Sequence, residues 1–304
     1  MLSCPMGLLP ANRFNACAQK VTVAGAPVSL DARCPAERVS SAPMDQPRAN
    51  EEFRRVLSGE EPGFERLRVA MKRIPSSPRC KLCAAPFEGA GGALLRHLGF
   101  GRFPGNPALC NNCITSFKKR GQMGAEIPVT LLFADVRGST TLAESTSPRE
   151  FNRMMGRFYN TATEVLVDHD GIVDKFVGDE IIGIFVPAMA SPRHAARAVD
   201  AARTLLTATG FGTSTGPWVP IGIGINTGVA YVGSIGDSSD TEMTAMGDVV
   251  NVTARLSSVA GPGEILVTTA AAAGAGLPAD LPRRSLQLKG KSQATDVVVL
   301  TGSG

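Results

Sequence analysis

Two aspartates occur in short motifs that are typical of strand ends. Asp135 follows the apolar run 129–134, and Asp179 lies in the tight turn of the stretch Lys-Phe-Val-Gly-Asp-Glu at residues 175–180. If the two strands are neighbours, both carboxylates reach the same hard cations. Mg²⁺ is usually held by one or two carboxylates together with substrate phosphates. The pair therefore predicts a two-metal site for phosphoryl chemistry.

Two further motifs contain residues that suit a nucleotide. Gly138 and Ser139 follow Asp135 at a predicted helix start, where backbone N–H groups bind anions, although such residues are more often a simple turn and cap. Asn251 and Arg255 are four residues apart and share a helix face. An arginine there can neutralise a charged phosphorus centre, and an asparagine can orient a sugar. Each residue alone is more often a solvated helix position, so the combination carries the prediction.

The chain also contains two C-x-x-C pairs separated by 26 residues, Cys80 with Cys83 and Cys110 with Cys113. This spacing is typical of one tetrahedral metal held by four thiolates. Structural zinc that staples a small segment is the favoured interpretation, and iron, an iron-sulfur cluster or a redox switch are the alternatives. Basic residues between Arg96 and Arg120 are scattered and match no known reader motif, so a nucleic-acid partner is not expected.

The elements that must position these residues alternate from Val129 onward. The pattern is β-α-β-β-α-β with further strands towards Leu300, which predicts an α+β, ferredoxin-like domain preceded by a small metal-stapled region. The net charge of +4 divides into 18 basic and 9 acidic residues in 1–125, against 13 and 18 in 126–304. We therefore predict a disordered stretch at 1–48, a helical and four-cysteine region at 49–124 and a catalytic domain at 126–302. Met44 is an alternative start.

The sequence contains no apolar run of the roughly 20 residues that a membrane helix needs. The first ten residues lack a basic residue before their short apolar run, so a secretory signal is not expected. A cytoplasmic location with reduced cysteines is the prediction.

Taken together, these motifs resemble the class III nucleotidyl cyclases over essentially residues 128–301. Four motifs occur in the family's order: F-x-D-V-x-G-S-T around Asp135, K-x-x-G-D from Lys175 to Asp179, the segment from Thr244 to Arg255, and Leu-Lys-Gly-Lys at 288–291. The resemblance implies a head-to-tail homodimer in which each of two interface sites takes complementary halves from both chains.

The resemblance also implies a role for each motif residue. One chain would hold two Mg²⁺ or Mn²⁺ ions through Asp135, Asp179 and the backbone carbonyl of Val136, with Gly138 and Ser139 near the phosphates. The implied roles on the other chain are purine reading by Lys175 and Thr244, ribose positioning by Asn251, stabilisation of the α-phosphorus by Arg255, and contact with the terminal phosphates by Lys289.

The implied reaction is attack of the ribose 3′-oxygen on the α-phosphate with loss of pyrophosphate. A lysine can donate to adenine N1 and a threonine hydroxyl can accept from the 6-amino group, whereas guanylate cyclases of the family usually carry Glu and Cys-type residues at these positions. The expected substrate is therefore ATP and the product cyclic AMP. The family's commonest residue at the Thr244 position is Asp, so this chain departs from that pattern.

The same residues are compatible with three alternative functions. The first is a guanylate cyclase. The second, a GGDEF-type diguanylate cyclase, is suggested by Val-Gly-Asp-Glu at 177–180, but it lacks that motif's second glycine and has no place for the helix with Asn251 and Arg255. The third is a catalytically weak, nucleotide-binding regulatory module. Degenerate copies normally lose a metal aspartate or the Asn/Arg pair, and this chain keeps them all.

Overall fold

The computed structural model describes residues 46–104, 106–119, 124–235 and 242–302. Residues 1–45, which make up most of the stretch predicted to be disordered at 1–48, lie outside the described residues. The first helix begins at Gln46. The helical part of the region predicted at 49–124 consists of two short helices at its start, α1 (Gln46–Ser58) and α2 (Pro62–Lys72). The cysteine segment follows, with one π-helical turn at Arg96–Phe100 and these elements: α3 (Gly89–Leu95), β1 (Arg102–Phe103), β2 (Asn106–Cys110) and α4 (Asn111–Lys119).

One large sheet forms the rest of the molecule. Its strands are β3 (Gly124–Val136), β4 (Ile172–Val177), β5 (Glu180–Phe185), β6 (Ile221–Ile235), β7 (Glu242–Met246), β8 (Glu264–Thr268), β9 (Arg283–Leu286) and β10 (Thr295–Thr301). The order is β4-β5-β3-β6-β8-β10-β9, and β7 pairs with β6 beside this path. The β6–β8 pair is parallel and the other pairs are antiparallel.

Within the described residues, one 3-10 turn (Ser191–Arg193) and six α-helices accompany the sheet: α5 (Ser139–Ser145), α6 (Pro148–Asp168), α7 (Pro187–Ala190), α8 (His194–Ala208), α9 (Asp248–Val259) and α10 (Thr269–Ala275). The helix α6 begins at a capping box, in which Ser147 and Glu150 satisfy each other's backbone N–H groups. The series β3-α6-β4-β5-α8-β6, with antiparallel neighbours in the order β4-β5-β3-β6, confirms the ferredoxin-like prediction.

The central strand β3 is buried on both faces, and its alternation separates two layers. Leu132 and Ala134 pack with α6 and α8 in one core cluster. Ile127 and Leu131 belong to another cluster, which also contains apolar side chains of α1 and the four cysteines. The cysteine segment therefore packs on the opposite face of the sheet from α6 and α8. The boundary predicted between 49–124 and 126–302 stays a prediction, because both sides contribute to one core.

The structure differs from the sequence prediction along β6. The apolar runs at 221–225 and 229–232 are typical of two separate strands, because polar residues interrupt the apolar pattern between them. In the structure these residues lie within one strand, since partners satisfy them: Thr227 Oγ1 is 2.7 Å from Thr130 Oγ1, and Asn226 accepts from Thr268 Oγ1 at 2.9 Å.

Across the described ranges, no helix combines the length and the apolar character that crossing a bilayer requires. The cytoplasmic location stays a prediction.

Candidate active site

Asp135 and Asp179 lie at the same end of neighbouring strands. Asp135 is the next-to-last residue of β3 and pairs in register with Glu180, the first residue of β5. Asp179 occupies the turn between β4 and β5, and its carbonyl accepts from the N–H of Val136 at 3.2 Å. The structure thus brings both carboxylates to the end of β3, where Val136 is the last residue. Such hard oxygen donors suit Mg²⁺ or Mn²⁺.

Two glycines make the turns around these acids. Gly178, beside Asp179, has a φ of +63°, and Gly138, after β3, has a φ of +67° as the N-cap of α5. Residues with a side chain rarely adopt these values, so the tight turns depend on glycine. Tyr159 also donates its hydroxyl to the carbonyl of Gly178. Gly138 and Ser139 therefore follow Asp135 directly at the start of α5, as the sequence predicts.

An arginine that the sequence analysis missed lies among the acids. Arg137 contacts the carboxylate of Asp135 and donates to the carbonyl of Ser258 in α9 at 2.7 Å. Burial lowers the pKa of Arg137, and the charges of Asp179 and Glu180 oppose this change. Its place two residues after Asp135 was the available signal, but a strand-end arginine is most often solvated.

Glu180 was also missed by the sequence analysis. Ser257 of α9 donates to its Oε1 at 2.6 Å, which joins α9 to the acidic strand ends. Burial raises the pKa of Glu180, and the hydrogen bond from Ser257 opposes that rise. The acidic end of the sheet therefore holds three carboxylates and one arginine, and Glu180 and Arg137 join it to α9.

The residues predicted to read a purine meet through a third residue. Lys175 lies on β4, and Thr244 lies on β7, a strand that the sequence analysis did not predict. The hydroxyl of Thr244 donates to Asp174 Oδ2 at 2.8 Å, and Lys175 Nζ is 3.9 Å from Asp174 Oδ1. The structure therefore brings Lys175 and Thr244 to one carboxylate, and only the adjacency to Lys175 could have pointed to Asp174.

The predicted ribose and phosphate residues lie on α9 and on the turn at 288–291. Asn251 is exposed and Arg255 is half-buried on α9. A Cβ built on Gly290 would lie 3.4 Å from Arg255 Nη2, so the turn passes over this guanidinium. Lys291 donates to Asp248 at 2.6 Å, and Lys289 is exposed. The turn at 288–291 therefore contacts α9 through Gly290 beside Arg255 and through the Lys291–Asp248 pair.

The four cysteines of the two pairs form one buried cluster of free thiols. Their Sγ atoms all lie within 4.8 Å of one another, with 3.6 Å between Cys83 and Cys110 and 4.0 Å between Cys80 and Cys113. A zinc ion 2.3 Å from four sulfurs requires sulfur–sulfur separations of about 3.8 Å. Hydrogen bonds from the Cys110 and Cys113 thiols lower the pKa of the Cys80 thiol. The cluster has the donor set and the spacing to bind a metal.

Basic residues near this cluster have partners within their own segment. Arg102 pairs with Glu88 at 3.0 Å, and Arg96 donates to the carbonyl of Phe87 at 3.4 Å. Arg120 lies outside the described residues. That nucleic acid is not a partner stays a prediction.

The fold and this arrangement of motif residues define the class of the protein. Residues 122–300 match the family described as the adenylate and guanylate cyclase catalytic domain, which is more than half of the chain. The chain belongs to this family and carries a nucleotidyl cyclase catalytic domain.

Particular relatives are similar over the same region. Adenylate cyclase 1 of Rhizobium meliloti (strain 1021) is 32% identical over 190 residues, which cover 57% of this chain and 27% of the relative. An adenylate cyclase of Anabaena cylindrica is 28% identical over 183 residues, covering 56% of this chain and 36% of the relative. The chain thus spans about a third of the length of these curated relatives, or less.

Solved structures with both purine specificities resemble this one. The guanylyl cyclase Cya2 has a TM-score of 0.52 and 30% identity, and the match covers 60% of this chain and 95% of Cya2. The adenylyl cyclase CyaB from P. aeruginosa has a TM-score of 0.51 and 25% identity, with 58% and 95% covered. Similarity to these two structures therefore does not decide whether the substrate is ATP or GTP.

Proposed function

We propose that this chain is an adenylate cyclase that converts ATP to cyclic AMP and pyrophosphate at sites shared between two copies. The observation that favours adenine is that Lys175 and Thr244 both lie beside the same carboxylate, that of Asp174. An ammonium group can donate to adenine N1, and a hydroxyl beside it can accept from the 6-amino group. The Glu and Cys-type residues expected for guanine are absent from both positions.

The chain's own residues divide the chemistry among them. Asp135 and Asp179, with the Val136 carbonyl, would hold two divalent cations, which when bound neutralise the triphosphate and lower the pKa of the 3′-hydroxyl. Asn251 orients the ribose, while Lys289 and the turn at Gly138 and Ser139 hold phosphate oxygens. The sequence places each of these groups in a motif of the family.

Arg255 stabilises the negative charge that develops around the α-phosphorus in the transition state. The 3′-oxygen forms a bond to the α-phosphorus, the bond from that phosphorus to the β-bridging oxygen breaks, and the 3′-hydroxyl proton passes to solvent. A guanidinium at the α-phosphate stabilises this charge more than that of bound ATP, which accelerates the reaction.

Exposed apolar side chains around the purine-reading strands support a homodimer. Phe176 and Val177 follow Lys175 on β4, Met246 lies two residues after Thr244, and Val229 of β6 is 62% exposed. Large apolar side chains grouped on a surface are typical of an interface between chains. A second copy that covers them would close the nucleotide site beside Lys175.

The cysteine cluster is proposed to hold one structural zinc ion. Its four thiols are buried, their spacing suits a tetrahedral ion, and the segment has little apolar core of its own apart from the sheet. Iron and redox roles use the same thiols, so metal content decides between them.

Product analysis tests the proposed activity. Purified protein is incubated with ATP and separately with GTP, each with Mg²⁺ or Mn²⁺, and the products are resolved by chromatography. Cyclic AMP as the main product supports the proposal, with the Asp135→Asn variant as the inactive control. Preferential cyclic GMP would identify a guanylate cyclase, and no cyclic nucleotide from folded, dimeric protein would favour the regulatory module.

A further inference from the structure

We propose that Asp174 is a positioning residue for purine specificity: it accepts the only proton of the Thr244 hydroxyl and so presents that oxygen to the base as an acceptor. The inference rests on the proposed cyclase function. It adds a residue that makes no contact with the nucleotide itself and acts through Thr244.

A β-bulge puts Asp174 in reach of Thr244. The pairing of β4 with β5 passes from Val173 opposite Gly183 to Lys175 opposite Ile182, so Asp174 is an extra residue between them. In a regular strand, neighbouring side chains point to opposite faces, but a bulge interrupts this alternation. The separation of 3.9 Å between Lys175 Nζ and Asp174 Oδ1 shows that the two side chains converge.

The hydrogen bond has a defined direction. An ionised carboxylate only accepts, and a threonine hydroxyl has one proton, so Thr244 must donate to Asp174 across the 2.8 Å contact. Lys175 Nζ lies 3.9 Å from the other oxygen, Oδ1, so a positive charge stands beside this carboxylate. The Asp174 side chain is 3% exposed and Thr244 is 5% exposed, so water competes little for this proton.

The fixed direction discriminates between purines. With its proton engaged, the Thr244 oxygen can only accept, which suits the 6-amino group of adenine. A 6-oxo purine would place its own acceptor against this oxygen with no proton between them. An unpaired polar contact of this kind costs roughly tenfold to hundredfold in relative affinity.

The test compares ATP with inosine triphosphate, whose base carries an oxygen at position 6. An amide at position 174 can donate to the Thr244 oxygen, which frees the hydroxyl proton for a 6-oxo group. In Asp174→Asn, the ratio of kcat/KM for ATP to that for inosine triphosphate should fall at least about fivefold. Asp280→Asn, an exposed carboxylate before β9, is the matched control and should keep the ratio.

A double-mutant cycle that combines substitutions of Asp174 and Thr244 distinguishes the proposed positioning role from a general loss of activity or folding. Thr244→Val should lower the ratio, Thr244→Ser should keep it, and adding Asp174→Asn to Thr244→Val should change it less than twofold, because Asp174 acts through the hydroxyl. A merely structural role for Asp174 would lower both kcat/KM values together. If Asp174→Asn fails to fold, the two Thr244 variants still decide, since a Thr244→Val that keeps its preference overturns the proposal.

Binding measurements distinguish failure of this proposal from failure of the cyclase function. The Kd values of 3′-deoxy-ATP and 3′-deoxyinosine triphosphate, which lack the attacking hydroxyl, report base preference without turnover. If no triphosphate is cyclised but the Kd ratio falls in Asp174→Asn, the activity is wrong and the role of Asp174 stands. A folded Asp174→Asn that keeps both ratios within twofold of the unmodified protein overturns the proposal.

Discussion

Lys81, which lies between the first two cysteines, donates to Asp170 Oδ1 at 2.7 Å. Arg197 of α8 binds the other oxygen of the same carboxylate at 2.8 Å. Asp170 lies two residues before β4, the strand that carries Asp174 and Lys175. The cysteine segment is therefore joined by an ion pair to the residues that directly precede β4.

This ion pair should contribute measurably to stability. Its side chains are 28% and 23% exposed, so solvent screens it less than a surface pair. A double-mutant cycle with Lys81→Met and Asp170→Asn should give a coupling free energy of about 1 kcal/mol in denaturant unfolding. The more exposed pair Arg54 and Glu51 is the control, and its cycle should give a clearly smaller coupling, because solvent screens this pair more strongly. Equal coupling free energies in both cycles would contradict the prediction that the Lys81–Asp170 pair stabilises the fold more than an exposed pair does.

The strand-end acids should be essential for turnover. Asp135→Asn and Asp179→Asn each remove one anionic oxygen donor and should lower kcat at least about 100-fold, because cation binding weakens. Thermal unfolding midpoints should change little, since both side chains lie at strand ends outside the core. Asp280→Asn serves as the control. Near-normal cyclic AMP formation by either variant would refute the two-metal assignment.

Sites shared between chains predict complementation. Homodimers of Asp135→Ala and of Asn251→Ala should each be inactive, whereas mixed dimers hold both lesions in one site and leave the other intact. With random pairing at equal amounts, activity should approach about a quarter of the unmutated value. The chains are co-expressed with two distinct tags so that pairing is verified. Tagged pairs that stay inactive would show that these residues do not act in trans.

The cysteine cluster should contain about one zinc ion per chain. Metal analysis of purified protein measures this directly, and Cys80→Ser with Cys110→Ser should abolish the signal, whereas Cys34→Ser should retain it. Chelation should speed hydrogen exchange in residues 78–116 more than in the cyclase domain, because the ion replaces a core there. Metal-free protein with four freely titratable thiols would rule out this site.

His194 should make stability depend on pH. Its Nδ1 lies 2.8 Å from Thr130 Oγ1, and burial lowers its pKa from 6.5. The imidazole of His194 therefore binds a proton more readily in the unfolded chain than in the folded one. The contribution of His194 to the free energy of unfolding is complete above about pH 6.5 and is lost as the pH falls below that value. His194→Asn should flatten the fall in unfolding free energy as the pH drops below about 6.5.

Much of this protein follows from local sequence alone. The succession of apolar strand runs and helical periods from Val129 onward predicts the ferredoxin-like fold, because each buried element leaves a short-range pattern in the sequence. The cyclase family follows from the resemblance of the four motifs, in their order, to that family. The cysteine spacing likewise predicts the cluster of Cys80, Cys83, Cys110 and Cys113. The fold and the cysteine cluster need only the chain's own periodicity, spacing and residue types, whereas the family rests on the resemblance of the motifs.

Tertiary structure alone decides the partners of those residues. The contact of Thr244 with Asp174 joins positions 70 residues apart and depends on a bulge in the pairing of β4 with β5. The contacts of Arg137 with Asp135 and of Lys81 with Asp170 likewise depend on how the ends of the sheet are covered. Strand register and the direction of a single hydroxyl proton arise from the packed neighbours on both sides, and no local pattern in the chain encodes them.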